Sequence, residues 1–414
     1  MFHTNEDRLV NQPLRSRESH AEDLQSVILS NNSSARGVKG DISLSATPYI
    51  DMVWSFSYDY LHGTLAGVDN QLYKQYTKAE SKFKISSFDK NRIKQRIISI
   101  KPTHDIHRLP EFERSNWHAV DVKHWILCYA LPCLSEILDE EALLHYSLLV
   151  NSLFTLLKTE ITAEELSTCE HDLKKFVVLY EYYFHETSMT FNVHSVLHIV
   201  ESVKKNGPLW ANSTFPFENN IHQLRQLING PNGMDKQMSR KHLERLHFKT
   251  GNVDYSTDKI SNYCSNLFDN KRLSTFFTYG DQNAVVFVGK YYYKNINGTS
   301  ARVYKKCIYK HKVFHSINYT RAQRTNDSTI KLSDSDFRQI ISILCIDKKC
   351  YFQLSRIDVY DENPFYVNHI KKIRSENFEQ YRIIPITDCK CKLNLLNVRN
   401  TRYLCELPND FEIQ

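Results

Sequence analysis

Apolar positions begin to repeat near residue 49, and the first clear set, Leu61, Leu65, Val68 and Leu72, keeps the three-to-four-residue interval of one helix face. Residues 74–101 are basic, punctuated by Ile93, Ile97 and Ile98, and end at Pro102. That pattern predicts one helix whose exposed cationic face carries Lys84, Lys90, Arg92, Lys94 and Arg96. Three longer periodic stretches follow over about 117–137, 139–158 and 162–184. The last opens with Thr162-x-x-Glu165, in which a hydroxyl and a carboxylate cap each other's backbone N–H groups. These helices are expected to pack as a bundle with Trp117, Trp125, Leu131 and Leu134 inside. Further helices are expected over 191–205, stopping at Gly207-Pro208, over 216–228 before Asn229-Gly230-Pro231, and over 234–248 with Arg240, Lys241 and Arg245.

The texture changes after about residue 270, where β-branched and aromatic runs such as Ala284-Val285-Val286-Phe287-Val288 and Tyr291-Tyr292-Tyr293 alternate with Asn-Gly and Asp-rich turns. Helical spacing recurs there only around residues 334–343. The reading is an α+β chain in three parts: a mostly irregular segment over 1–45 with at most a short helix, a helical region over 46–250, and a small β-rich, barrel-like or sandwich domain over 270–414.

Composition supports folded domains: 41% of the 414 residues are hydrophobic and 12% aromatic, with only 11 Gly and 11 Pro. The net charge of +6 permits contact with nucleic acid without requiring it. Ten cysteines occur with no Cys-x-x-Cys, which points to a reducing compartment. Residues 1–17 lack the apolar centre of a signal peptide, and no stretch is long enough to span a bilayer. An intracellular chain with no membrane partner is expected, in which the Asn297-Gly298-Thr299 sequon carries no glycan.

One block is distinctive. Met189-Thr190-Phe191-Asn192-Val193-His194-Ser195-Val196-Leu197-His198, followed by Gly207-Pro208-Leu209-Trp210-Ala211-Asn212-Ser213-Thr214-Phe215-Pro216-Phe217-Glu218, closely resembles a segment of the CACTA, Mirage and Chapaev superfamily of cut-and-paste DNA transposases. Asp59-Tyr60-Leu61-His62-Gly63 resembles that family's Asp-x-x-His block. The run from Arg108-Leu109-Pro110 to Trp125, continuing through Leu131-Pro132 to Leu138, resembles the segment leading into its helical region. The resemblance spans roughly residues 36–245. It implies a remnant of an RNase H-like core with a helical insertion, in which two aspartates and a glutamate hold two divalent ions, Mg²⁺ or Mn²⁺. By resemblance Glu218 is the third carboxylate, and His194 and His198 are zinc ligands whose partners in the family are a Cys-x-x-Cys pair. Asp59 and His62 would be auxiliary, in capping, metal support or packing.

In the family the cysteine pair and both aspartates stand upstream of the block resembling Gly37-Val38-Lys39-Gly40, and the residues between Met1 and that block do not supply them. The expectation is therefore a transposase-derived nuclear protein without strand-transfer activity, with Zn²⁺ held incompletely. The expected partners are DNA, bound through basic helix faces, and a second copy of the chain in a homo-oligomer. Each residue also has a structural reading. Glu218 suits a helix N-terminus, the histidines can bond to neighbouring groups on a helix face, Asp59 can cap a helix, and the cations can be a solvated surface. Two other readings stay open: a fragment of an active transposase completed by further sequence, and a protein-interaction module that never meets nucleic acid.

Overall fold

The computed structural model describes residues 13–30, 33–106, 108–110, 114–250, 285–296, 298–319 and 324–411. The chain divides into two compact units. One comprises Met1–Ser213, Val359–Arg374 and Leu393–Gln414, the other Thr214–Asp358 and Ser375–Lys392.

The first unit is built on helices. Helix α1 (Arg17–Ser30) buries Asp23, which pairs with Arg36 at 2.7 Å. A π-helical stretch, Leu61–Asp69, continues into α2 (Asn70–Thr77), and Leu61, Leu65, Val68 and Leu72 are all buried along it. A Cβ on Gly67 would lie 2.6 Å from Asn192 Nδ2 and 2.8 Å from the His62 carbonyl oxygen, so the glycine makes room for the Asn192 side chain against this stretch. The single helix expected over 74–101 is instead two. Phe83 and Ile85 bury themselves in a turn after α2, and the Ser86 hydroxyl accepts from Asp89 N at 3.1 Å to start α3 (Ser87–Ser99).

Helix α4 (Ala119–His124), π turns over Trp125–Tyr129 and α5 (Ala130–Leu134) form one continuous buried rod. Its π turns precede Pro132, which has no N–H to give Cys128 an α-helical bond. Helices α6 (Glu140–Leu156) and α7 (Ala163–Phe184) pack along each other. The capping box at Thr162 is complete, with Glu165 N donating to its hydroxyl at 3.2 Å and its own N–H reaching Glu165 Oε2 at 3.0 Å. The helix expected over 191–205 is α8 (Phe191–Ser195), a 3₁₀ turn Val196–His198 and α9 (Ile199–Asn206), which stops at Gly207 with φ +85°.

The second unit opens with α10 (Phe215–Arg225) and α11 (Met234–Thr250). The change of texture expected near residue 270 lies outside the described residues, as do Ala284 and Asn297. Strands β1 (Val285–Val288), β2 (Tyr292–Ile296), β3 (Thr299–Tyr304), β4 (Lys306–Tyr309), β5 (Lys312–His315), β6 (Thr329–Ser333), β7 (Asp336–Ile346) and β8 (Lys349–Val359) follow. One sheet is β1-β4-β5. In another, β7 pairs with β3 (Val303↔Leu344), β6 (Thr329↔Gln339) and β8 (Cys345↔Cys350), all antiparallel. Phe287, Tyr304, Phe314, Ile340, Phe352 and Leu354 fill the core between them. The helical spacing near 334–343 is overruled, because β7 has neighbours on both sides and buries residues on both faces.

Strands β9 (Ile370–Pro385) and β10 (Cys391–Val398) each run from one unit into the other, and β11 (Thr401–Glu406) belongs to the first, where it pairs with both (Tyr403↔Lys372, Leu395↔Leu404). The fold is α+β, helical first and β-rich after. The barrel expected for the β-rich part is corrected: it forms two sheets, and β1, β2 and β5 each hydrogen-bond to a single strand among the described residues. Those edges would not survive closure.

Candidate functional site

The block singled out in the sequence folds around α8. Thr190 Oγ1 accepts from Val193 N at 3.4 Å to begin the helix, and Val193 and Val196 face the core. The tighter 3₁₀ turn that follows keeps His194 and His198 on one side, half-buried, with their Nε2 atoms 3.4 Å apart and their rings edge-on. Burial lowers the pKa of both below 6.5, and His198 is lowered further by His194, so both rings are neutral at pH 7. Two nitrogens each about 2.0–2.1 Å from one tetrahedral zinc lie roughly 3.3–3.4 Å apart, so the pair matches half of such a site. The other half is missing from the described residues, where no group of three or more His, Cys, Asp or Glu converges. The donors fit zinc as a pair but not as a complete set among the described residues.

Glu218 lies in the first turn of α10, just after Pro216, with its N–H donating to Thr214 O at 3.0 Å and its side chain exposed. That position favours a carboxylate through the helix dipole. Asp59, in the separate Asp-x-x-His block, stands just before the Leu61–Asp69 stretch: its Oδ1 accepts from Leu61 N at 3.0 Å and His62 N at 3.3 Å, and its Oδ2 meets His62 Nδ1 at 2.5 Å. Its geometry is that of a cap.

The basic residues are not gathered on one helix face. Arg96 is buried and donates to Cys133 O at 2.6 Å and Ser135 O at 2.7 Å, which corrects its placement among exposed cations. Arg92 pairs with Asp89 at 2.9 Å, Lys90 and Lys94 are half-buried, and Lys84 is exposed. On α11, Arg240 pairs with Glu244 at 2.9 Å and Arg245 donates to Gln223 at 2.6 Å.

Sequence reasoning missed a cavity of about 310 Å³ lined by Asp69, Tyr73, Tyr76, Lys94, Trp117 and Tyr146, among others. Asp69 is 2% exposed and accepts from the Tyr146 hydroxyl at 2.5 Å. Trp117, expected in the core, is half-buried at this cavity and packs edge-on against buried Trp125 at 5.4 Å. The one available signal was an acid inside an apolar helix face, between Val68 and Leu72. Among the described residues no helix is long and apolar enough to cross a membrane. No protein-family model, curated protein or solved structure matches this chain.

Proposed function

We propose that the chain is a transposase-derived nuclear protein of the CACTA, Mirage and Chapaev type that binds DNA and does not itself cut or join it. The supporting observation is the His194–His198 pair, whose ring nitrogens stand at the spacing two ligands of one zinc require, inside the block that resembles the family. In this reading the described helices of the first unit correspond to the insertion, since the described residues before 285 contain no strand of three or more residues that an RNase H-like sheet would need. Glu218 is then the relic of the third carboxylate. The ancestral enzyme used Mg²⁺ or Mn²⁺ and Zn²⁺. This chain has no Cys-x-x-Cys to complete the zinc set, and no acidic cluster among its described residues to hold a pair of ions. Pairing with a second copy belongs to the same reading, as it does to recombinases that act on two DNA ends.

The test is a binding isotherm of the full chain on duplex DNA across a salt series, with Mn²⁺ present and products resolved on a denaturing gel. Phosphate contacts predict affinity that falls steeply with salt, and the reading predicts intact strands. Salt-independent or absent binding would reject DNA as the partner. Nicking that disappears in Glu218→Gln would replace the inactive reading with that of an active enzyme.

A further inference from the structure

We infer that the β2–β3 hairpin is a stacking platform for single-stranded nucleic acid. Residues 282–326 contain nine Lys and Arg and no Asp or Glu, in a chain whose whole net charge is +6. Such one-sidedness is not a requirement of folding, because surfaces ordinarily intersperse both signs. Five of these cations, Lys290, Lys294, Lys305, Lys306 and Lys310, make no ion pair among the described residues. Charge complementarity therefore calls for a polyanion.

The aromatic side chains select which polyanion. Among the described residues strand β2 pairs only with β3, and Tyr291 just before it and Tyr292 and Tyr293 within it are 39%, 54% and 67% exposed. Exposed edge strands are commonly blunted by charge or proline, so three successive open phenol rings are unusual there. Strand alternation sets Tyr291 and Tyr293 on one face, edge-on at 5.5 Å. Arg302, directly opposite Tyr293 on β3, lays its guanidinium over the Tyr291 ring at 5.7 Å. Tyr292 and Lys294 occupy the other face. At the turn, Gly298 takes φ +83° and donates to Asn295 Oδ1 at 2.9 Å, which fixes the register that brings Arg302 to Tyr293. Rings interleaved with cations suit bases whose π faces are open and phosphates that run beside them, as in a single strand. A duplex hides those faces, and an acidic peptide would leave the tyrosines idle. The inference needs neither the histidine pair nor Glu218.

The experiment titrates the full chain with labelled oligothymidine, with a duplex of equal length and with polyglutamate. The expected result is preference for the single strand, an affinity loss of about tenfold or more in Tyr292→Ala/Tyr293→Ala, and retention in Tyr292→Phe/Tyr293→Phe. Lys290→Gln/Lys294→Gln should reduce the slope of log affinity against log salt by roughly 0.7 per lysine. Both rings are more than half exposed, so an unchanged thermal transition is expected to certify the alanine variant as folded. Oligothymidine binding that ignores the tyrosines, or polyglutamate bound as tightly, would overturn the platform. Duplex binding without any oligothymidine binding would also overturn it, while leaving the proposed function intact.

Discussion

His145 and His369 are sealed inside the first unit, 1% and 4% exposed, each donating Nε2–H to a backbone carbonyl: Phe176 O at 2.9 Å and Leu127 O at 2.8 Å. Each ring also stacks on a phenylalanine, Phe176 at 4.4 Å and Phe154 at 4.0 Å. Burial pulls both pKa values from 6.5 down to about 4. Because the folded value lies below the unfolded one, the unfolded chain takes up the proton first. Their contribution is complete above pH 6.5 and drains as pH falls towards 4, on the order of 3 kcal/mol for each ring. Urea midpoints should therefore fall between pH 6.5 and 4, and less so in His369→Gln; a flat profile across that window would refute the assignment. Asp69 behaves differently because its role is to accept. Tyr146→Phe removes the donor that satisfies it and should destabilise the unit by about 1–3 kcal/mol in chemical denaturation. No loss would mean that the pair is immaterial. Neither the sealed histidines nor the Asp69–Tyr146 bond was legible in the sequence, since the partners stand 31, 242 and 77 residues apart.

Among the elements, legibility followed how much of the determining chemistry was local. The helix Ala163–Phe184 was readable because its start is fixed within four residues by Thr162 and Glu165. Thr162→Ala should cost about 1 kcal/mol and lower the melting temperature by roughly 2–4 °C, with Thr162→Ser nearly neutral. Equal melting of the wild type and the alanine variant would show that the box is ornamental. The stretch over 74–101 misled because its cationic spacing hid two buried anchors, Phe83 and Ile85, that break it into α2 and α3. The 3₁₀ turn at Val196–His198 was also invisible, yet it preserves the side-by-side placement of His194 and His198 that the four-residue interval implied. Strand β7 overrode its own helical spacing through pairing with β3, β6 and β8, a non-local cause.

At the scale of the whole molecule, the sequence indicated helices first and strands after, and the α+β fold has that order. It did not indicate that the chain returns, with Val359–Arg374 and Leu393–Gln414 joining the first unit. Such returns are set by long-range pairing, as is the open-edged arrangement of two sheets in place of a barrel. The site was legible to the extent that it rests on spacing within one block. What lies around the histidines depends on packing that no spacing encodes.

The account rests on Met189–Glu218 being a relic of a metal-bearing recombinase, and zinc binding by the full chain probes that most directly. Titration against a colorimetric chelator should reveal a site weaker than a four-ligand one, lost in both His194→Gln and His198→Gln and unaffected by Asp59→Asn. Undiminished zinc uptake in both histidine variants, or none in the wild type, would contradict it.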